Sequence, residues 1–418
     1  MLKDKLIAAL KNKQTLNLAT YGFGQVFNLI TPLLVIPYII SVCGVANYGK
    51  ISIGMAISFF LMVFIDYGSD IIGVKETAVN RENQDALEKI FVTTFASKLV
   101  LLTIVALIAS VIFVFVPFFS GDKALFFWCL PILVGQFLNP TWFLQGQENF
   151  KWITVLTIGS KLIYLFGIFI CIRTSSDYVY VNLWWGLGTI LANGFTVAVI
   201  VRTRSFSFFS TSRGEITQLL RRNFAMFSSQ IFVSLQMYAP IVLIGFFGNN
   251  LMAGQYKIIE QIIGIFKTYI YLFFNFVYPR VCYLIGLDLN EAFRFWKIYN
   301  GLNFVFVFLS MAVICFLAPQ TVSFFSKTSV DEISHLLQFA LLIPVLLSLS
   351  IPLKQLLLGF DRQKRYIQFT MLMVLASMLT MVGLIPGYGI FGVLLTLALA
   401  EVITIIIYYW SLRDKLAV

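Results

Sequence analysis

Residues 251–277, LMAGQYKIIEQIIGIFKTYIYLFFNFV, decide the fold class because they are long and apolar enough to cross a membrane. The stretch also contains three charged residues, Lys257, Glu260 and Lys267, well away from either end. A charge near the middle of a bilayer costs roughly 2.5–3.5 kcal/mol on the insertion scale, so such residues are kept only where they face protein or water. The stretch therefore predicts a transmembrane helix whose polar side faces the inside of a helix bundle.

The composition of the whole chain extends this interpretation. Of the 418 residues, 59% are hydrophobic and 12% are charged, whereas soluble domains are about 45–50% apolar. We predict an all-α integral membrane protein of about twelve transmembrane helices, in two pseudo-symmetric six-helix lobes around a central cavity. The predicted spans are 14–42, 50–73, 91–116, 124–145, 152–173, 179–201, 223–247, 251–277, 297–318, 333–359, 366–386 and 388–411.

The net charge of +11 reports membrane topology. When the 30 Lys and Arg residues are assigned to loops, 21 fall on one side of the membrane, 4 on the other and 5 inside spans. The positive-inside rule places the first group, and therefore both termini, in the cytoplasm. The first span is too long for a cleaved signal peptide and is predicted to be retained. The basic excess therefore does not predict a nucleic-acid partner.

The two halves of the chain resemble one another. A series of Pro, Gly and Tyr residues closes the first span and recurs after the seventh, offset by about half the chain, as expected of parallel repeats. The two series are Pro37, Gly44 and Tyr48, and Pro240, Gly248 and Tyr256. The predicted domains are an N-terminal lobe at 1–201, a basic cytoplasmic linker at 202–222 and a C-terminal lobe at 223–418.

Polar residues form stripes on several predicted spans. In the eighth span, Lys257, Glu260, Lys267 and Tyr271 lie within an arc of about 80° at 100° per residue. Such stripes indicate either a hydrated cleft or hydrogen bonds between helices, and Lys257 and Glu260 are also spaced to neutralise each other. The excess of lysines favours an anionic cargo. The candidate substrate-binding residues are Lys161, Lys257, Lys267, Tyr271, Asn28, Gln25 and Gln230.

A second set of buried charges is a candidate for ion coupling or gating. Asp66 and Asp70 lie one turn apart near the predicted cytoplasmic end of the second span, and Lys98 enters the third span from the same side. These three residues form either a gate or proton site, or an interfacial salt-bridge cluster. Glu401, near the middle of the last span, is a candidate proton or cation carrier. The complete set is Asp66, Asp70, Lys98, Glu260 and Glu401.

No catalytic signature accompanies these charges. The chain has one His, and its five Cys show no metal-ligand spacing. No P-loop, nucleotide-binding glycine motif or nucleophile elbow is present. We therefore predict no catalytic residues, no metal site and no cofactor.

A short motif closes the fourth span. The string Pro140-x-Trp142-x-x-Gln145-Gly146 resembles a recurring feature of the polysaccharide repeat-unit flippases (Wzx), which belong to the multidrug/oligosaccharidyl-lipid/polysaccharide exporter superfamily. The Asp66-Tyr67-Gly68 end of the second span is similar to that family too. The resemblance covers essentially the whole chain and depends on the order and spacing of several weak motifs.

The resemblance implies a multi-pass protein of the bacterial inner membrane that acts in lipopolysaccharide O-antigen biosynthesis. Its cargo would be an undecaprenyl-pyrophosphate-linked oligosaccharide, moved from the cytoplasmic to the periplasmic leaflet by alternating access. Antiport of H⁺ or Na⁺, and polysaccharide polymerase and chain-length proteins as partners, are implied as well. Lysines lining a low-dielectric cleft would supply the field that a pyrophosphate requires.

Other functions remain open at this point. A cation-coupled multidrug exporter of the same superfamily would favour buried carboxylates, and a lipid II flippase would be expected to have more spans. A membrane polysaccharide polymerase or ligase would carry a long periplasmic loop, which the short predicted loops do not supply.

Overall fold

The protein is helical throughout the residues described by its computed structural model, 13–206 and 211–416, and these residues contain no β-strand. Two short 3₁₀ helices, Pro117–Asp122 and Ser175–Tyr180, join longer segments. The first ten α-helices are α1 Lys13–Cys43, α2 Val45–Asp66, α3 Ser69–Val79, α4 Gln84–Phe115, α5 Lys123–Phe127, α6 Leu130–Phe137, α7 Thr141–Gly146, α8 Phe150–Cys171, α9 Val181–Arg204 and α10 Arg213–Phe247. The remaining helices are α11 Asn250–Ile285, α12 Leu289–Phe316, α13 Ala318–Phe325, α14 Val330–Ala340, α15 Leu342–Gly359 and α16 Gln363–Leu416.

The chain divides into two compact units. Unit 1 is Met1–Tyr238 and unit 2 is Ala239–Val418, so the boundary lies within α10. Residues 213–222 of the predicted linker form the first turns of α10. The lobe boundaries predicted at 201 and 223 stay a prediction.

The number of membrane crossings follows from helix length and apolarity. Ten helical stretches among the described residues can cross a membrane, and the bent pair Pro117–Phe127 and Leu130–Gly146 adds an eleventh. The 54 residues of α16 correspond to about 80 Å, far more than the hydrocarbon thickness of about 30 Å. Gly389 has non-helical backbone angles in the middle of α16, where two helices meet at a kink. Ten to eleven candidate crossings are thus present among the described residues, and the predicted total of twelve stays a prediction.

The second predicted span is broken near its end. Tyr67 and Gly68 have φ values of 45° and 77°, in the left-handed region, so α2 ends and α3 begins there. Asp66 is therefore the last residue of α2, whereas Asp70 lies in the first turn of α3. The break separates two carboxylates that an unbroken helix would place on one face.

An aromatic core holds one end of unit 1 together. The Phe91 ring is fully buried and contacts the rings of Phe95, Trp142, Phe143 and Phe206 at centroid distances of 4.5–6.2 Å. Pairs of this kind contribute about 0.5–1.5 kcal/mol each beyond the area that they bury. This core joins α4, α7 and the end of α9.

The main core of unit 2 joins α11, α15 and α16. Val277, Val281, Leu357 and Leu412 have no exposed surface and form its centre. The indole of Trp296 on α12 packs beside this core, and its Nε1–H donates a hydrogen bond to a main-chain oxygen of α15 at 3.0 Å. The polar tip of a partly buried tryptophan is thereby satisfied.

Candidate functional site

The predicted site residues divide between the two units. Unit 1 holds Gln25, Asn28, Asp66, Asp70, Lys98, Lys161 and Gln230 together with the Pro140–Gly146 motif, and unit 2 holds Lys257, Glu260, Lys267, Tyr271 and Glu401.

In unit 1, the ammonium group of Lys161 on α8 lies against the indole ring of Trp185 on α9. The distance from Nζ to the ring centroid is 3.5 Å, well inside the limit of about 6 Å for a cation–π contact. Lys161 is half-buried. In the part of the chain that the structure describes, no carboxylate forms an ion pair with it. Lys161 is therefore a positive charge held by an aromatic face and not neutralised by an acid.

Trp185 belongs to a chain of four aromatic rings, which we name the aromatic cluster. Tyr164 meets the indole nearly edge-on, with centroids 5.1 Å apart and planes at 76°. Phe59 lies 5.8 Å from Trp185, and Tyr238 lies 5.8 Å from Phe59. The cluster draws one ring from each of α2, α8, α9 and α10. Tyr164 is buried, but the other three rings are only half-buried.

Two glycines bring α8 and α9 close enough for the contact between Lys161 and Trp185. A Cβ atom at Gly188 would lie 2.5 Å from the main-chain oxygen of Ser160, and one at Gly167 would lie 2.1 Å from the ring of Trp184. Trp185 precedes Gly188 by three residues and so shares its face of α9. The close approach at Gly188 therefore places the indole of Trp185 against the side chain that follows Ser160.

Lys98 lies in a different environment in the same unit. Only 2% of its side chain is exposed, and Nζ lies 2.9 Å from Oδ1 of Asp66. The amide of Gln136 donates a hydrogen bond to the other carboxylate oxygen of Asp66 at 2.5 Å. Both oxygens are occupied, so the charge of Lys98 is compensated within unit 1. The role of this pair in coupling or gating stays a prediction.

Asp70 and Gln230 join α3 to the first half of α10. The Gln230 amide donates to both carboxylate oxygens of Asp70 at 2.8 Å. Farther along the same two helices, the guanidinium of Arg222 lies 2.5 Å from Glu76. Gln230, which the sequence places among the substrate-binding candidates, is thus engaged by a residue from the gating set.

Two polar side chains of α1, Gln25 and Asn28, contact each other, and a main-chain oxygen of α1 contacts α8. Asn28 donates to the side-chain oxygen of Gln25 at 3.0 Å within the same helix. Thr154 on α8 donates to the main-chain oxygen of Thr20 on α1 at 2.8 Å. Thr154 therefore acts as a hydrogen-bonded link between helices, one of the two interpretations left open by the sequence.

The Pro140–Gly146 motif packs α7 against α3. Trp142 is 3% exposed, and its ring fills the space where a Cβ atom at Gly73 would lie, 2.8 Å from Cε3. A Cβ atom at Gly146 would lie 2.7 Å from a main-chain oxygen of α3. Pro140 is buried just before α7, whereas Gln145 is exposed. Trp142 and Gly146 thus have structural contacts that explain their residue types.

In unit 2, the polar stripe of α11 is partly neutralised. Nζ of Lys257 lies 2.7 Å from Oε2 of Glu260, as the spacing of three residues allows. Lys267 lies within the electrostatic reach of both Glu260 and Glu401. Glu401 accepts a hydrogen bond from the Ser350 hydroxyl at 2.7 Å. Lys267 is therefore the stripe lysine with acids nearby but no direct ion pair among the described residues.

Aromatic residues surround the other end of this stripe. The side chain of Tyr271 is 47% exposed. Nζ of Lys354 on α15 lies 4.8 Å from the ring centroid of Tyr366 and 5.4 Å from that of Phe274. Lys354 therefore makes cation–π contacts with two rings.

Four contact residues were missed by sequence reasoning: Trp185, Phe59, Gln136 and Ser350. A weak signal exists for one of them, because Trp185 lies in the string Trp184-Trp185-Gly186-x-Gly188, where small residues allow another helix to approach. The partners of Asp66 and Glu401 carry no comparable signal, since a lone Gln or Ser inside a span is common.

The charge at the aromatic cluster suits the binding of an anion. Within residues 13–206 and 211–416, no group of three His, Cys, Asp or Glu side chains could hold a metal ion. The Lys161 ammonium lies beside aromatic rings and has no ion pair among the described residues. Such a site can attract phosphate electrostatically and offer flat apolar faces to a neighbouring group.

Sequence comparisons identify relatives over most of the chain. Residues 15–283 match the family described as "Polysaccharide biosynthesis protein". A protein of Escherichia coli K12 assigned as an O-antigen transporter is 24% identical over 62% of this chain and 63% of its own length. One from Shigella dysenteriae with the same assignment is 20% identical over 91% of this chain and 95% of its own. The alignment thus spans less than two thirds of the first relative.

Solved structures with the same fold are transporters. An inward-facing MATE family multidrug transporter of the MOP superfamily superposes with a TM-score of 0.74 at 14% identity, covering 93% of this chain and 94% of that one. The lipid II flippase MurJ in an inward closed conformation gives 0.73 at 14% identity, covering 94% and 87%. At this identity the likeness shows the fold alone.

Proposed function

Because the chain belongs to the polysaccharide biosynthesis protein family, we propose that it is a flippase for a lipid-linked oligosaccharide. The relatives assigned as O-antigen transporters support this proposal. The cargo would be an undecaprenyl-pyrophosphate-linked repeat unit, moved from the cytoplasmic to the periplasmic leaflet by alternating access. The protein would act by transport and not by catalysis.

The observation that carries the proposal is the Lys161 ammonium on the aromatic cluster of unit 1. A pyrophosphate has two to three negative charges. A lysine ammonium in a low-dielectric setting attracts such a group strongly. The adjoining Trp185, Phe59 and Tyr238 rings are only half-buried, so they can meet the sugars that follow the pyrophosphate. Lys267 would be the corresponding anion-binding residue of unit 2, whereas Lys257 is neutralised by Glu260.

Ion coupling is assigned in this proposal to Glu401. This carboxylate accepts a hydrogen bond from Ser350 and lies within the electrostatic reach of Lys267 and Lys354. Binding of H⁺ or Na⁺ to it would release those lysines toward an anionic cargo. Asp66, Asp70 and Lys98 would serve as a gate, in agreement with their contacts at the break between α2 and α3.

The proposed location is the bacterial inner membrane, with both termini in the cytoplasm. The 21-to-4 distribution of Lys and Arg between the two sets of loops supports this orientation. Polysaccharide polymerase and chain-length proteins would use the flipped cargo on the periplasmic side.

Two alternatives receive less support. The MATE likeness rests on 14% identity and therefore does not carry a multidrug cargo over to this chain. A polysaccharide polymerase or ligase finds no counterpart among the relatives described above.

The test uses cells of the source organism from which the gene for this protein has been deleted. The Lys161→Ala variant is expressed in these cells, with Lys151→Ala as the matched control. Lys151 lies on the same helix but is exposed at its first turn. Losing a charge-assisted contact to pyrophosphate should lower surface polysaccharide at least about tenfold at equal protein level. Electrophoresis of surface polysaccharide and immunoblotting of the membrane fraction measure both quantities. Normal polysaccharide in Lys161→Ala/Lys267→Ala cells would contradict the proposal.

A further inference from the structure

The face of Trp185 is already occupied in this structure. With Nζ of Lys161 only 3.5 Å from the ring centroid, the ammonium covers one side of the indole. Tyr164 and Phe59 border the same ring, at 5.1 and 5.8 Å. No additional planar group can stack on that side of the indole until the ammonium leaves it.

We infer that Trp185 binds the sugar ring adjoining the pyrophosphate, and that Lys161 covers the indole until the pyrophosphate draws its ammonium away. This inference rests on the proposed function. It assigns Trp185 as the residue that distinguishes a saccharide-bearing pyrophosphate lipid from a bare one.

The exchange follows from the relative strength of the two contacts. A cation–π contact at a half-buried site is weaker than a charge-assisted hydrogen bond between an ammonium and a phosphate oxygen. A pyrophosphate arriving beside α8 therefore displaces the ammonium from the ring. The uncovered indole then offers a flat apolar face to the C–H side of a sugar, and stacking on such faces tolerates different ring types.

Competition between Trp185 and pyrophosphate for the Lys161 ammonium predicts the direction in which the affinity changes when the indole is removed. If Trp185 competes with pyrophosphate for Lys161, removal of the indole should tighten the binding of a bare prenyl pyrophosphate. The same removal should weaken the preference for a lipid that carries a sugar. If Trp185 instead only holds Lys161 in a productive position, both affinities should fall together.

The experiment compares the full-length protein with Trp185→Leu, Trp185→Phe and the control Trp184→Phe. Trp184 is the neighbouring indole, but it packs over Gly167 and takes no part in the aromatic cluster. The probes are farnesyl pyrophosphate and its conjugates with N-acetylglucosamine and with galactose. Isothermal titration calorimetry in detergent gives the dissociation constant of each probe.

For Trp185→Leu we expect about threefold to tenfold tighter binding of farnesyl pyrophosphate and loss of the preference for the conjugates. Trp185→Phe keeps an aromatic face and should move in the same direction by less, while Trp184→Phe should match the wild type. Because Trp185→Phe is the milder change, it keeps the test decisive if the Leu variant does not fold.

Two results would overturn the inference alone, and a third would also overturn the proposed function. Weaker binding of farnesyl pyrophosphate in both Trp185 variants would make the indole a positioning group, and an unchanged sugar preference would remove it from saccharide recognition. Both results leave the proposed function standing. Failure of the wild-type protein to bind any of the three probes would overturn the proposed function and this inference with it.

Discussion

Lys98 and Lys161 are lysines of the same unit with opposite surroundings. Lys98 is almost completely enclosed and paired with Asp66, whose second oxygen is held by Gln136. Lys161 is half-buried and lies on the Trp185 ring, with no acid paired to it among the described residues. A buried pair is costly to break, whereas an uncompensated cation remains able to bind a new anion. The contrast separates a lysine enclosed in an ion pair from one that is available to an added anion.

The sharpest test of this contrast is the stability of Lys98→Met. The change leaves the Asp66 carboxylate without its counter-ion, so we expect the free energy of unfolding to fall by about 3–5 kcal/mol. Titration with a denaturing detergent, followed by circular dichroism, measures it. The double variant Asp66→Asn/Lys98→Met removes both charges and should recover most of the loss. A single variant as stable as the wild type would remove the structural role of Lys98.

Lys257 provides an intermediate case. Lys257 and Glu260 lie on one helix, and their side chains are 29% and 20% exposed. The surroundings therefore partly compensate the charge of each side chain when its partner is removed. Lys257→Met should lower the free energy of unfolding by about 1 kcal/mol. The same titration measures it, with Glu260→Gln/Lys257→Met as the control. A loss as large as that of Lys98→Met would place Lys257 among the structural lysines.

The smallest effect on stability is expected for Lys161→Met. Losing a cation–π contact of about 0.5–1 kcal/mol is offset by no longer desolvating a half-buried charge. We therefore expect the free energy of unfolding to stay within about 0.5 kcal/mol of the wild type. The same titration tests this expectation. A marked loss of stability would mean that Lys161 has a structural partner, and the contrast with Lys98 would fail.

The sequence predicted the helical architecture well because apolar length alone identifies membrane spans. It also anticipated the Lys257–Glu260 pair, since a spacing of three residues on one helix dictates proximity. The break at Tyr67 and Gly68 was missed inside the predicted span 50–73, because a left-handed tyrosine leaves no trace in hydrophobicity.

Contacts between helices were the hardest to foresee. The position of Trp185 over Lys161 depends on how α8 and α9 rotate and approach, which the glycines permit but do not specify. Gln230 was assigned to the cavity from its own stripe, whereas its partner Asp70 lies on another helix. Stripe patterns indicate which face of a helix is polar, but they do not identify the group that the face meets.

The seating of Trp142 beneath Gly73 affects how the signature string of this chain should be used. Because Trp142 and Gly146 are engaged in joining α7 to α3, their residue types follow from the scaffold. A search with this string therefore groups chains by architecture. If the proposed function holds, differences in glycan choice are better sought by comparing residues near the indole of α9.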